Sequence, residues 1–477
     1  MKHYKVTLAI PDTVAQEINT ICTILLDNGF ECYLVGGSVR DLILQIPVYD
    51  YDFATNARPE QVMKLFKKVV PTGIKHGTVT VLMSHAHYEI TTYRSDGKYT
   101  DGRHPDSIAF SDSLKEDVER RDFTINGLAY DVNKKVIIDY VGGMKDIKKK
   151  VIQTIGDPVQ RFSEDGLRPY RACRLAAKLH FSINKKTLEA IPQMLDVASK
   201  ISVERVRDEI KKMLEVDKPS VGFEYMRVTG LLDLCLPELS QGFGMQQNKY
   251  HLYDIYYHSI YSCDAAPNDK PLIRLAALFH DIGKITTRRE GHDGDYTFYN
   301  HEIIGAKIAR RIMRRLKFSN DEIEYVTHLV ENHMFYYTQD WTDGAARRFI
   351  RKVGLHNLED LFILRLADRV GSGMRDGLPE PIKYLKKHIE KVIAKDNAFT
   401  VKDLDIDGYS IMDALHIKPG PMVGKILNEL LEKVLDNPEL NNYQTLLTLA
   451  KEIYAIMERS DESSCHDSIQ HQQHYEK

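Results

Sequence analysis

The chain has 477 residues, too many for one hydrophobic core, so several domains are expected. Hydrophobic residues make up 43% and charged residues 28%, which excludes a fibrous or wholly disordered protein. The formal net charge is −3, so any surface that grips a polyanion has to be a local patch. Six cysteines (Cys22, Cys32, Cys173, Cys235, Cys263 and Cys465) are scattered without a CxxC pair, which reads as reduced thiols rather than a disulfide framework. The first residues, MKHYKVTLAIPD, lack the apolar run of a signal peptide. No stretch approaches the roughly 18 apolar residues that span a bilayer. A cytoplasmic protein without membrane contact is expected.

In chain order, residues 11–29 carry Val14, Ile18, Ile21 and Leu25 at helical spacing, with Pro11 and Asp12 opening the helix. Cys32–Val35 reads as a short strand running into Gly36-Gly37, followed by a helix over 39–45. Tyr49–Phe53 reads as a strand, Val79–Met83 with Tyr88–Tyr93 as a hairpin, and Val136–Tyr140 as one more strand. Beyond this small α/β region, 160–460 reads as almost all helix, with 288–300 a polar loop. The tail from 459 is polar and aperiodic, and is expected to be disordered. The fold class is therefore α+β: a small mixed-sheet head over 1–148, then helical segments 149–215, 216–250, 251–375 and 376–458, and a tail 459–477.

Gly36 to Asp52 reads GGSVRDLILQIPVYDYD. A strand ends at two glycines and a helix begins, which lets a backbone approach phosphate and offers it free N–H groups. Arg40 can add a charged fork to the same phosphates. Asp50 and Asp52, at i and i+2 on a strand, point to one face. Side by side they repel unless a cation lies between them, and hard oxygen ligands suit Mg²⁺. An isolated DxD is more often a solvated turn, but GGSVRD a short way upstream reverses that reading.

GGSVRD…DYDFAT resembles the first motif of the class II tRNA nucleotidyltransferases and bacterial poly(A) polymerases of the polymerase-β superfamily. In order follow PTGIKHGTVTV (71–81), similar to CCA-adding rather than poly(A) enzymes, and YEITTYRSDGKYTDGRHPDSIAF (88–110), similar to a strand and flexible loop. ERRDFTINGLAY (119–130) resembles the second motif, whose arginine helps discriminate ribose and binds the triphosphate. DYVGGMKDI (139–147), RFSEDGLRPYRACRLAAKLHF (161–181) and ISVERVRDEIKKML (201–214) resemble the hinge, fourth and fifth motifs. The resemblance implies a polymerase-β-like nucleotidyltransferase head, then an all-α neck, body, HD domain and helical C-terminal region. It implies Asp50 and Asp52 as catalytic Mg²⁺ ligands. Gly37, Arg40, Arg121, Asp165, Arg168, Arg171 and Arg174 would be nucleotide-binding.

An enzyme that adds C, C and A without a template must read the incoming base itself, and carboxylate and guanidinium groups can mimic a Watson–Crick edge. Asp165 and Arg168, at i and i+3, are expected on one helix face. The resemblance assigns them base selection, with Glu164 orienting Arg168. Pro169 means either that this helix starts close before it, with Ser163 as N-cap, or that it kinks. Glu89 is either a third carboxylate near the metals or an exposed strand residue. Arg94, Asp96, Tyr99, Asp101 and Arg103 lie in the loop that the family links to adding the final A.

His258, His280, Asp281 and Asp368 form a second constellation. Imidazole and carboxylate groups ending apolar helices need partners or a metal. The order H…HD…D resembles the HD phosphohydrolases, which implies a divalent metal on these four residues in addition to the Mg²⁺ of the head, with His301 and His333 as candidate ligands for a second metal beside it. The turn KPGPMVG near 420 is either a phosphate contact or a helix connector. Taken together the resemblance implies CCA addition to tRNA from CTP and ATP, with the helical body holding the acceptor and TΨC arms. The alternatives are a poly(A) polymerase and an HD metal-dependent phosphohydrolase whose head binds RNA. Nothing in the sequence sets an oligomeric state.

Overall fold

The computed structural model describes residues 1–96, 108–291, 294–373, 377–395 and 399–472. Of the loop positions named above, Tyr99, Asp101 and Arg103 lie outside them. The chain divides into two compact units, Met1–Thr327 with Gly371–Gly373, and His328–Val370 with Met374–Lys477. The division falls inside 251–375, the span expected from sequence to be one domain.

The head of the first unit is an eight-stranded sheet. Its strands are β1 (Lys2–Lys5), β2 (Tyr33–Val35), β3 (Tyr51–Thr55), β4 (Val69–Gly73), β5 (Thr78–Leu82), β6 (His87–Thr92), β9 (Leu128–Asp131) and β10 (Val136–Asp139), with β7 (Arg94–Asp96) and β8 (Ile108–Phe110) a separate pair. The order is β1-β10-β9-β2-β3-β6-β5-β4, antiparallel throughout except for the parallel pair β3 and β6. The expected hairpin is β5–β6. Strand β3 buries Tyr51 and Phe53 on one face of the sheet and Ala54 on the other. One core cluster gathers Val35, Ala54, Tyr93, Leu114, Val118, Ala129 and Ile138. Helix α1 (Asp12–Asp27) buries Ile18, Ile21 and Leu25 at the expected spacing.

Helix α2 (Gly37–Ile43) leaves directly from β2. The short helices α3 (Pro59–Leu65), α4 (Leu114–Glu119) and α5 (Gly143–Lys149) complete the head. Helices α6 (Pro158–Glu164) and α7 (Arg168–Leu179) begin the helical part. Buried Arg274 stitches it together, donating to the carbonyls of Leu214 (2.9 Å), Val216 and Ala266 (2.8 Å). These close chain ends whose carbonyls would otherwise lack partners. The polar loop 288–300 contains a small hairpin, Arg289–Glu290 with Tyr296–Thr297.

The second unit is helical. Its core packs Leu404, Ile406, Ile411, Ile426, Leu430, Leu431, Val434, Leu446 and Ala450. The KPGP turn joins the helix Gly408–Leu415 to the helix Pro421–Asp436. The tail differs from its expected disorder: the last helix runs Tyr443–Gln472. Helix propagation costs far less than nucleation, so a packed amphipathic start can carry a polar continuation. Among the described residues no helix is long and apolar enough to cross a membrane.

Candidate active site and histidine cluster

The site starts from the turn between β2 and α2. Gly36 has φ +75°, where a side chain would be strained, and a Cβ there would stand 3.1 Å from Arg121 Nη1 and 3.7 Å from Asp52 Oδ2. Glycine therefore serves both the turn and the close approach of Arg121 and Asp52. Asp52 lies on β3, opposite Val35 on β2 and Glu89 on β6. Asp50 stands just before the strand rather than in it, and is exposed. Burial, with the neighbouring charges of Glu89 and Asp50 and against that of Arg121, pushes Asp52 up to about 6. Three carboxylates thus meet at one end of the central strands.

The next layer is the segment after α4. Arg121 donates from Nη2 to Asp117 Oδ2 at 3.0 Å. Asp122 pairs with Arg171 Nη2 at 3.1 Å and accepts from Asn126 at 3.0 Å. Burial raises the Asp122 carboxyl, but Arg171, Asn126 and Arg168 outweigh it and hold it below the usual range. Arg40 is buried, with Nε 2.7 Å from Asp41 Oδ1 and Nη1 2.5 Å from Asn126 Oδ1. Lys178 of α7 donates to the other Asp41 oxygen at 2.9 Å.

The third layer departs from expectation. Asp165 and Arg168 do not share a helix face, because the helix breaks between them. Asp165 ends α6 with extended φ and ψ of −145° and 109°, and its Oδ1 accepts from the Leu167 N–H at 3.0 Å. Helix α7 begins at Arg168 with Pro169 in its first turn. In a continuous helix Pro169 would have to donate to the Asp165 carbonyl; it has no N–H, and its ring crowds that oxygen. Ser163 is therefore not an N-cap, and α7 does not kink at Pro169. Gly166 sits so close to the next element that a Cβ would lie 2.5 Å from the Val197 carbonyl oxygen.

This break aims the side chains. Arg168 donates to Glu164 (2.5 Å), as expected, and to the carbonyls of Arg161 (2.8 Å) and Arg120 (3.1 Å). Asp165 is gripped by Arg205 of the helix Val203–Leu214 at 3.3 and 3.1 Å. One turn along, Glu209 accepts from Arg174 Nε at 2.5 Å. Gly37, Arg40, Asp52, Arg121, Asp165, Arg168, Arg171 and Arg174 all line one cavity of about 350 Å³. Asp52, Glu89, Arg94 and Arg121 line an adjoining cleft of about 220 Å³. Arg120, Asp122 and Asn126 line the main cavity too, without having been singled out; they lie within ERRDFTIN, on a turn whose irregular geometry hides their common face.

The chain is similar to known proteins along most of its length. Residues 32–153 match the family described as "Poly A polymerase head domain", and 180–243 that described as "Probable RNA and SrmB- binding site of polymerase A". Residues 299–450 match a tRNA nucleotidyltransferase domain 2. A CCA-adding enzyme of Ligilactobacillus salivarius is 31% identical over 455 residues, covering 93% of this chain and 98% of its own. One from Enterococcus faecalis is 32% identical over 438 residues, covering 92% and 94%. The chain belongs to the CCA-adding enzymes. The crystal structure of the Bacillus stearothermophilus CCA-adding enzyme in complex with CTP superposes with a TM-score of 0.73 at 27% identity, over 94% of this chain and all of that one.

This member of the CCA-adding enzymes has a further cluster in its first unit. His258 projects from the helix Ile255–Ala265, and His280 and Asp281 follow the helix Pro271–Phe279. His258 Nε2 lies 3.0 Å from His280 Nε2 and 3.1 Å from Asp281 Oδ2. His301 Nε2 lies 3.3 Å from Asp281 Oδ1. His280 and His301 each place Nδ1 against a backbone carbonyl, of Ala277 (2.7 Å) and Phe298 (2.8 Å), which turns Nε2 toward Asp281. Lys284 Nζ donates to Asp281 Oδ2 at 2.6 Å. Burial raises the Asp281 carboxyl, but His280, Lys284 and His258 hold it well below the usual range. His251, which no periodicity marked, also offers a ligand atom beside His258 and Asp281. Asp368 stands in the second unit, where Arg365 pairs with it at 2.9 Å. His333 is in that unit too, with Nδ1 2.7 Å from the Val330 carbonyl.

Proposed function

We propose that the chain adds CCA to the 3′ end of tRNA from CTP and ATP without a template, in the cavity between the Gly36-Gly37 turn and α7. The observation that carries the reading is the convergence of Asp52, the arginine-rich wall and the Asp165–Arg168 pair on one cavity. The tRNA 3′-hydroxyl attacks the α-phosphorus, a new P–O bond forms, and the bond to the β-phosphate breaks to release pyrophosphate. The Gly36-Gly37 turn admits the phosphates to the backbone. Arg40, Arg121, Arg171 and Arg174 balance the triphosphate charge. Asp165 and Arg168 present an acceptor and donors to the base edge.

Asp50 and Asp52 fit a divalent cation such as Mg²⁺: their oxygens are hard donors, and Asp52 is a carboxylate whose charge the protein alone leaves poorly compensated. When bound, such an ion activates the hydroxyl and stabilises the charge of the leaving group. Glu89, in register with Asp52, extends the same carboxylate set. Residues 1–148 act as the catalytic head and 149–215 as the nucleotide-selecting neck, with the helical body and C-terminal region taking the acceptor and TΨC arms.

A tRNA lacking its CCA end, given CTP alone, ATP alone and both, tests this. Ordered extension by C, C and A is the expected result. Long A-tails would instead mark a poly(A) polymerase, and no extension would overturn the reading.

The histidine cluster supports a second activity. The donor set of His258, His280 and Asp281 suits a divalent metal, with the HD-type hydrolysis of phosphate esters as its chemistry. Release of phosphate from a 2′,3′-cyclic or terminal phosphate, lost in Asp281→Ala, is its test.

A further inference from the structure

Asp117 belongs to none of the motifs legible in the sequence. It lies on α4, two residues before the ERRDFTIN segment, and its side chain is 0% exposed. Its Oδ1 accepts from Arg120 at Nε (3.0 Å) and Nη2 (2.6 Å). Its Oδ2 accepts from Arg121 at Nε (3.3 Å) and Nη2 (3.0 Å). One carboxylate thus holds the same edge of two successive guanidinium groups, which only the i+3 and i+4 spacing of a helix end allows. We infer that Asp117 is a positioning residue for nucleotide selection, which fixes the directions of Arg120 and Arg121 at the cavity wall.

Three further observations favour this over a merely structural ion pair. Both arginines line the nucleotide cavity and the adjoining cleft. Asp117 occupies the Nε–Nη2 edge of Arg121, so that Nη1 is turned toward Gly36, where a Cβ would stand only 3.1 Å from it. The carbonyl of Arg120 accepts from Arg168 at 3.1 Å, so the same turn is tied to the base-reading residue. A buried carboxylate with two guanidinium groups pays a large desolvation cost that an apolar residue of similar size would avoid. Orientation is what the charged arrangement adds. Without Asp117, Arg121 keeps its charge but loses its direction.

The inference rests on the proposed nucleotidyl transfer, and on the family's use of the second-motif arginine in telling ribose from deoxyribose. Full-length protein and the variants Asp117→Asn and Asp117→Glu are compared by equilibrium binding of CTP and dCTP, which needs no RNA. They are also compared by kcat and KM for extension of tRNA lacking CCA, and by thermal melting. Asp117→Asn keeps the volume and loses the charge; Asp117→Glu keeps the charge and moves it. The expected result is a CTP-over-dCTP preference that falls about tenfold or more in Asp117→Asn, mainly through KM, with only partial recovery in Asp117→Glu. An unchanged preference in both variants overturns the inference, whatever happens to melting temperature or kcat. If Asp117→Asn fails to fold, the preference in Asp117→Glu decides. If the unaltered protein prefers CTP in binding but extends no tRNA, the function reading fails and the positioning role is still decided by the binding arm.

Discussion

Asp52 is a half-buried carboxylate whose neighbours are two more carboxylates and one guanidinium. Its folded pKa of about 6 lies above the ordinary aspartate value, so the proton binds more tightly in the folded state. The sign follows: without divalent metal, Asp52 costs stability above pH 6, and this cost fades as pH falls from 6 toward 4. Asp52→Asn should therefore stabilise the metal-free fold at pH 7 by up to about 3 kcal/mol, measured by denaturant titration. The same change should lower nucleotide transfer by about a thousandfold or more, measured with tRNA lacking CCA. Asp122 and Asp281 run the other way. Their pKa values are lowered, so the stability they contribute is present above about pH 4 and lost as pH falls below it.

At the scale of elements, the break between α6 and α7 sets where Asp165 and Arg168 stand in the cavity wall. Pro169 lies in the first turn of α7, where its missing N–H is not needed. Pro169 is buried, so Pro169→Ala should cost about 1 kcal/mol of packing and leave the C-then-A order intact, read by thermal melting and product sequencing. A continuous helix would allow Ala to straighten it, and a change in base order would show that. Gly166→Ala carries the opposite expectation. Its Cβ would meet backbone atoms of Val197 and Ala198 that cannot swing aside. A loss of about 2 kcal/mol or more, together with poorer discrimination between CTP and ATP, is expected from melting and single-nucleotide extension.

At the scale of the molecule, two constellations of ionisable groups stand in different parts of the first unit. The carboxylates of β3 and β6 belong to the head, and the histidine cluster to the helical part of the same unit. Asp281→Ala should abolish divalent-metal binding at the cluster, read by metal analysis of dialysed protein. CCA addition should stay within about twofold of the unaltered enzyme, since no cavity-lining residue is touched. Equal loss of both activities would show that the two are coupled.

The amino-acid sequence by itself determined the head. GGSVRD and DYD are local patterns whose residue types and spacing point to phosphate and cation binding, ERRDFTIN was legible through resemblance, and of the sheet strands β2, β3, β5, β6 and β10 were legible while β1, β4 and β9 were not. It could not show that Asp165 and Arg168 flank a break, because helical spacing hides a turn made by one Asx hydrogen bond and one missing N–H. Nor could it find Arg205 and Glu209, which reach Asp165 and Arg174 across 40 and 35 residues, or His251, whose place beside His258 follows from a loop path. Those contacts join segments far apart in the chain, and only the packing of one helix on another decides which charges meet.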